Sequence, residues 1–268
     1  LLLLFFVPDT PRSLVLKDKP EKALEVLTKV NGLEEAKVIL AEIQNTVVSH
    51  SGKLFSFGTE IILIGILLSV FQQFVGINVV LYYAPEIFKN MGSGTDTALL
   101  QTIIVGTVNL LFTVLAILTV DKLGRKPLMM IGALGMAISM FALGTTFFTQ
   151  TLGWSALIFM LIYVASFAMS WGPVTWVLLS EIFPNKIRGK ALAVAVAAQW
   201  ISNYLVSWTF PMMDKNSYLV EKFHHGFAYW IYGVMGLLAM LLVWKYVPET
   251  KGKTLEAMER IWTKKEVI

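Results

Sequence analysis

The sequence predicts an all-α membrane protein: six transmembrane helices, preceded by intracellular amphipathic helices and followed by a short charged tail. Three observations carry that prediction. Hydrophobic residues make up 56% of the 268 positions and charged residues only 15%, where soluble domains carry roughly 25% charged. Six apolar windows of about 20 residues, the length that crosses a hydrocarbon core, lie at 57–83, 97–120, 127–148, 154–181, 189–211 and 226–247. The basic residues also segregate. When successive loops are assigned alternately to two sides, 19 of the 22 Lys and Arg fall on one side, leaving Lys89, Lys215 and Lys222 on the other. The positive-inside rule makes the first side cytoplasmic, and both ends of the chain with it.

The same segregation accounts for the net charge of +4 as topology, with no groove or patch for nucleic acid. The chain has no cysteine, which excludes disulfides and thiolate metal sites. His50, His224 and His225 fall in predicted loops. The adjacent pair has no carboxylate at ligand spacing and reads as a surface loop, so neither a metal nor a cofactor is expected.

The chain opens with Leu1-Leu2-Leu3-Leu4-Phe5-Phe6-Val7, without an initiator Met. Seven apolar residues are too short to span. With no basic n-region and no small-residue cleavage site before Pro8-Asp9, they read as the end of a truncated transmembrane helix over 1–7 rather than a signal peptide. Residues 8–56 read as a cytoplasmic linker in which seven basic residues balance seven acidic ones. Pro20 suits a helix first turn, Leu24, Leu27 and Val30 share a face, and Gly32 is the stop. Leu33 to Val48 repeats the pattern with Ala36, Ile39, Leu40 and Ile43. These faces lack the large apolar and basic excess of membrane-surface anchors.

The first full span of the transmembrane domain (57–247) contains Gln72, Gln73, Asn78, Tyr82 and Tyr83 in an otherwise apolar run. An unpaired amide in hydrocarbon costs roughly 2–7 kcal/mol, so these groups face protein or a water-filled cavity. On a straight helix Gln72 stands at 0°, Gln73 at about 100°, Asn78 at about 240° and Tyr82 at about 280°. No single face holds all four. A break at Gly76 turns both clusters toward one point, as in the discontinuous helices that build transporter sites; the alternative is interhelical glue. Proline at Ala84-Pro85-Glu86 is expected to stop this span.

The second span carries one isolated amide, Asn109, which alone is glue and beside the cluster is a site candidate. The turn Asp121-Lys122-Leu123-Gly124-Arg125-Lys126-Pro127 follows, where Gly124 permits a positive φ and Arg125 can pair with a carboxylate from another inner loop. The fourth span holds Trp171-Gly172-Pro173-Val174-Thr175-Trp176. Pro173, with Gly172, marks a kink or hinge; Trp171 reads as core, and Trp176 as an indole capping a cavity against a sugar ring. Glu181 and Arg188 flank the next inner loop and with Arg125 form an expected ion-pair network. The fifth span is rich in alanine, which allows close helix contact, and presents Gln199, Trp200 and Asn203. The sixth ends at Pro248-Glu249-Thr250-Lys251-Gly252, and 248–268 reads as a cytoplasmic tail.

Taken together, Pro8-Asp9-Thr10-Pro11-Arg12, the Gln72–Asn78 run, Asp121–Lys126, Gly172–Trp176 and Pro248–Gly252 stand in the order of related motifs in the sugar porter family of the major facilitator superfamily. The chain resembles that family over its whole length. It departs in the first motif, where Asp9, Thr10 and Ser13 replace Glu, Ser and Trp. The resemblance implies the C-terminal half of a twelve-span bundle built around a midplane site, with the end of the sixth span and the intracellular helices attached. It implies sugar contacts at Gln72, Gln73, Asn78, Tyr82, Asn109, Trp176 and Gln199, and an inner charge network at Arg125, Glu181 and Arg188. The implied activity is proton symport of a monosaccharide, pentose or hexose with D-xylose favoured, across a bacterial inner membrane.

No Asp, Glu, Lys, Arg or His lies near mid-depth in the six spans, where an intramembrane carboxylate is the usual proton relay; the resemblance implies that protons, as the coupling ion, are handled by the missing N-terminal half. Neutral amides and an indole suit an uncharged polyol; an anion calls for buried cations. A transporter-like sugar sensor needs a longer partner-binding tail, and a membrane enzyme needs an intramembrane acid–base pair. The remaining alternative is an inactive fragment of a disrupted transporter, with Gln72 and Asn78 turned to lipid.

Overall fold

A computed structural model describes residues 9–48, 53–253, 258 and 261–262. The apolar opening at 1–7, His50 and most of the tail beyond Lys253 lie outside the described residues. The chain divides into two compact units, one of residues 1–56 with 185–187, the other of 57–184 with 188–268.

The first unit contains α1 (Pro11–Leu16), α2 (Pro20–Asn31) and α3 (Leu33–Val48), packed on one another. Thr10 caps α1 by accepting from the Ser13 N–H at 3.3 Å, and Asp9 pairs with Lys17 at 2.8 Å. Pro20 occupies the first turn of α2 and Gly32 ends it, as the sequence predicts. The buried seam differs from the expected face. Ala23 and Leu27 are buried while Val30, in the last turn of α2 two residues before Gly32, is 78% exposed, and among the described residues of α3 Ala36 is buried.

The second unit holds α4 (Thr59–Phe74), α5 (Ile77–Tyr82), α6 (Ala84–Asn90), α7 (Thr95–Leu123), α8 (Arg125–Phe148), α9 (Trp154–Met169), α10 (Trp171–Ile182), α11 (Arg188–Asp214), α12 (Ser217–Phe223) and α13 (Phe227–Tyr246). Among the described residues, six segments are long and apolar enough to cross a membrane: α4 with α5, α7, α8, α9 with α10, α11, and α13. Helix α8 packs between α9 and α13, α4 packs against α11 and α13, and α7 lies against α9. Helices α7 and α11 are the least buried of the six and present leucine, isoleucine, tryptophan and tyrosine outward.

Two spans are broken. The first breaks at Gly76, whose φ of 91° only glycine adopts without strain; a Cβ there would also lie 2.7 Å from the Tyr232 ring. The Tyr163 hydroxyl donates to the Val75 carbonyl at the break, at 2.8 Å. The fourth span breaks at Ser170, between α9 and α10, three residues before the expected hinge. Gly172 and Pro173 lie inside the first turn of α10, where backbone N–H groups have no helical acceptor and a proline removes nothing. Pro85 likewise sits in the first turn of α6 and starts that helix as well as following the end of the span. Pro211 lies inside α11. It has no N–H to give the Ser207 carbonyl one turn back, and the Tyr83 hydroxyl donates there instead, at 3.1 Å.

Candidate functional site

The amides of the broken first span converge. Gln72 is 3% exposed, and its Nε2 donates to the carbonyls of Trp171 and Gly172 at 2.9 and 3.3 Å, at the start of α10. Its Oε1 has no hydrogen-bond partner. Asn78, on the far side of the break, donates through Nδ2 both to Gln73 Oε1 at 2.6 Å and to Asn203 Oδ1 at 3.0 Å. The same Asn203 oxygen accepts from the Ser207 hydroxyl at 3.2 Å. With both Asn78 N–H groups engaged, its Oδ1 is left as an acceptor, and Gln73 and Asn203 retain free N–H donors. The cluster therefore offers donors and acceptors side by side, the complement of a hydroxyl-rich, uncharged molecule.

The other predicted contacts extend from these bonded residues by one helical turn. Tyr82 follows Asn78 on α5 by four residues, Trp176 follows Gly172 on α10 by four, and Gln199 precedes Asn203 on α11 by four, so each shares a face with its partner. Tyr82 is 58% exposed and Trp176 43% exposed; Gln199 and Asn109 are half-buried. No hydrogen bond links these four to one another or to the amide cluster. Asn109, on α7, has no such step to the cluster. Trp171 is core, as expected: it is fully buried and its indole N–H donates to the Met129 carbonyl at 2.9 Å. Asn203, which the fifth span presents alongside Gln199 and Trp200, is the residue that ties α11 to the break. Its signal was the i,i+4 pairing itself.

The charged residues gather at the α7–α8 turn. The Arg125 guanidinium is bidentate to Glu181, with Nε to Oε2 at 3.1 Å and Nη2 to Oε1 at 2.8 Å, and its Nη1 reaches Asp121 at 2.9 Å. Glu181 also accepts from the Thr250 hydroxyl at 2.6 Å. Arg188 stands apart from the expected network. Its Nε donates to the Phe183 carbonyl at 3.3 Å and its Nη2 has no partner, because α11 starts at Arg188 itself, only five residues from the end of α10, and the side chain folds back on that turn.

Glu249 completes the cluster and was not singled out from the sequence. Its two oxygens accept from the backbone N–H groups of Arg125 and Lys126, at 3.1 and 3.0 Å, and Oε1 also accepts from Thr250 and Lys251 N–H, both at 2.9 Å. The carboxylate thus caps the N-terminus of α8, where orphan donors and the helix dipole favour an anion. Burial pushes its pKa up, but the four N–H donors outweigh this and hold it below the usual carboxylate range. Gly124 has φ 92°, and a Cβ there would lie 2.9 Å from Glu249 Oε2. Gly124 is the seat of this carboxylate.

A family model described as sugar (and other) transporter matches residues 1–262. The chain is 65% identical over 266 residues to the D-xylose-proton symporter of Escherichia coli, covering 98% of this chain and 54% of that protein. It is 44% identical to the glucose facilitated diffusion protein of Zymomonas mobilis, covering 98% and 56%. Among solved structures, a major facilitator superfamily proton:xylose symporter bound to 6-bromo-6-deoxy-D-glucose matches with a TM-score of 0.77 at 65% identity, over 97% of this chain and 56% of that one. The chain spans about half the length of the curated relatives it matches.

Proposed function

The chain belongs to the sugar porter family of the major facilitator superfamily, a family of membrane transporters and not of enzymes, and on that premise we propose that it supplies the sugar-binding half of a monosaccharide/proton symporter. D-xylose is the favoured substrate. The observation that carries this reading is the amide cluster at the Gly76 break. Gln73, Asn78 and Asn203, from α4, α5 and α11, are joined there by hydrogen bonds that leave both donors and acceptors unspent. The names of the relatives, a D-xylose-proton symporter and a glucose carrier, support the substrate class.

In this reading Gln72, Gln73, Asn78, Tyr82, Asn109, Trp176 and Gln199 contact the sugar, and Gly76 with the Ser170 break lets the half-helices move. Arg125 with Glu181 holds one conformation at the basic end of the bundle. That end is cytoplasmic by the distribution of Lys and Arg, with 8–56 as linker and 248–268 as tail. The exposed apolar faces of α7 and α11 meet lipid and a second six-helix half, which carries the proton-coupling group.

The test is uptake of labelled xylose and glucose, driven by a proton gradient, in cells making this chain alone and together with the N-terminal half of a relative as a separate chain. Uptake by the pair alone, lost in Gln72→Ala and Trp176→Ala, is the expected result. No uptake by the pair, with both chains inserted in the membrane, overturns the proposal and favours an inactive fragment.

A further inference from the structure

The two histidines expected in a free loop are both tied down. His224 Nδ1 lies 3.0 Å from the Phe148 carbonyl, at the end of α8. His225 Nδ1 lies 2.8 Å from Asp214 Oδ1, and the other oxygen of that carboxylate accepts from Asn90 Nδ2 at 3.2 Å. Both histidines have left-handed backbone, with φ of 48° and 68°. Non-glycine residues rarely adopt that conformation, and here side-chain contacts hold it. Three elements therefore meet at one carboxylate: α6 through Asn90, the end of α11 through Asp214, and the turn into α13 through His225. The site is at the end of the bundle opposite the Arg125–Glu181 cluster, since α11 starts at Arg188 and ends at Asp214.

The side chain of Asp214 is 7% exposed and that of His225 is 28% exposed. Solvent protons reach the base more readily than the acid. A carboxylate so far out of water is costly unless a full charge or several donors compensate it, and Asn90 supplies one neutral donor. We propose that His225 and Asp214 form a proton-binding site that latches the ends of α6 and α11 to the start of α13, closed as an imidazolium–carboxylate pair and loosened when the imidazole is neutral.

The surroundings leave His225 as the group that titrates near neutrality. Glu86 of α6 and Lys215, just past α11, line a crevice of about 230 Å³ beside Asp214, together with Tyr83, Phe210 and Pro211. They are exposed and opposite in charge. Tyr229 of α13 is buried and feels the Asp214 charge, and from α8 the uncharged Phe147 ring faces the imidazole at 6.5 Å. The hydrogen bond to Asp214 raises the His225 pKa above its ordinary value, with burial acting against it. The latch is therefore fully set below the ordinary imidazole pKa and is lost as pH rises through the raised one. The proposal does not depend on which solute the bundle carries. It gives this half a proton site where its spans have no mid-depth acid or base.

The test uses the full chain in lipid nanodiscs with carbon-13-labelled histidine. The His225 imidazole, assigned by its loss in His225→Gln, is expected to titrate above the usual value and to return to it in Asp214→Asn. Hydrogen exchange of the peptide 211–226, corrected for intrinsic pH dependence, is the second readout. Protection should fall on raising the pH by about tenfold for each pH unit separating the two midpoints, and should be independent of pH in either variant. If Asp214→Asn does not fold, His225→Gln still reports, because its amide can donate to Asp214 without titrating. A midpoint unmoved by Asp214→Asn, or protection that ignores the titration of His225, overturns the proposal.

Discussion

Gly76→Ala tests whether backbone conformation and packing together build the break in the first span. At φ 91° a side chain costs about 1–2 kcal/mol from the left-handed geometry alone. The new Cβ would lie 2.7 Å from two carbons of the Tyr232 ring, where carbon atoms prefer about 3.5–4.0 Å, and overpacking of this kind costs about 1–3 kcal/mol. The sum is about 2–5 kcal/mol. Reversible unfolding of the purified chain in mixed micelles, followed by tryptophan fluorescence, measures it. A cycle with Tyr232→Leu separates the parts, because the Tyr232 hydroxyl has no hydrogen-bond partner to lose. Coupling of about 1–3 kcal/mol is expected, with the φ contribution surviving in the double variant. A Gly76→Ala chain within about 0.5 kcal/mol of the parent, or a cycle with no coupling, refutes the reasoning.

Glu249→Gln keeps one acceptor oxygen but loses the charge at the α8 N-terminus, and should cost about 1 kcal/mol. Because Glu249 is held below the usual carboxylate range, its contribution is present above that range and lost as pH falls through the lowered value; unfolding measured from pH 7 to pH 3 should lose this acid limb in the variant. Arg125→Lys cannot reproduce the bidentate contact with Glu181, and a double-mutant cycle with Glu181→Gln should show coupling, with Arg125→Lys alone destabilising by about 1–3 kcal/mol. Asn203→Leu strands the Ser207 hydroxyl and frees the Asn78 amide, so it should cost about 1–3 kcal/mol and weaken sugar binding by the reconstituted pair, read by equilibrium dialysis with labelled xylose.

Local chemistry is what the sequence displays. Spans, the stop at Gly32, the start at Pro20 and the break at Gly76 follow from composition, proline and glycine within a few residues of the event. Trp171 as core was legible because a mid-span indole has few alternatives in hydrocarbon, and Arg125 with a partner from another loop because a largely buried guanidinium calls for a carboxylate. The misplaced hinge has a local cause too: Pro173 marks a nearby helix start as readily as an internal kink. What could not be read were pairings set by tertiary packing. Glu249 reaches Arg125 N–H across 124 residues, Asn78 meets Asn203 across 125, and His225 finds Asp214 around α12. Arg188 failed to join its network for the same reason, since its direction depends on how a five-residue connection folds. Tyr82, Trp176, Gln199 and Asn109 are placed on faces but share no bond that ties them to the cluster.

The Glu249 cap also has a consequence for the order in which the bundle is made. Helix α8 is the packing partner of both α9 and α13, yet the carboxylate that satisfies its first two N–H groups arrives only after α13 has been synthesised. Until then the α7–α8 turn holds its donors open to water, and Arg125 lacks the part of its surroundings that Glu249 and Thr250 supply. Insertion of the last span and closure of the first basic turn thus become one event. A ribosome-bound chain stalled before residue 248 should leave that turn accessible to protease, and release of the full chain should protect it, so the turn reports on completion of the fold.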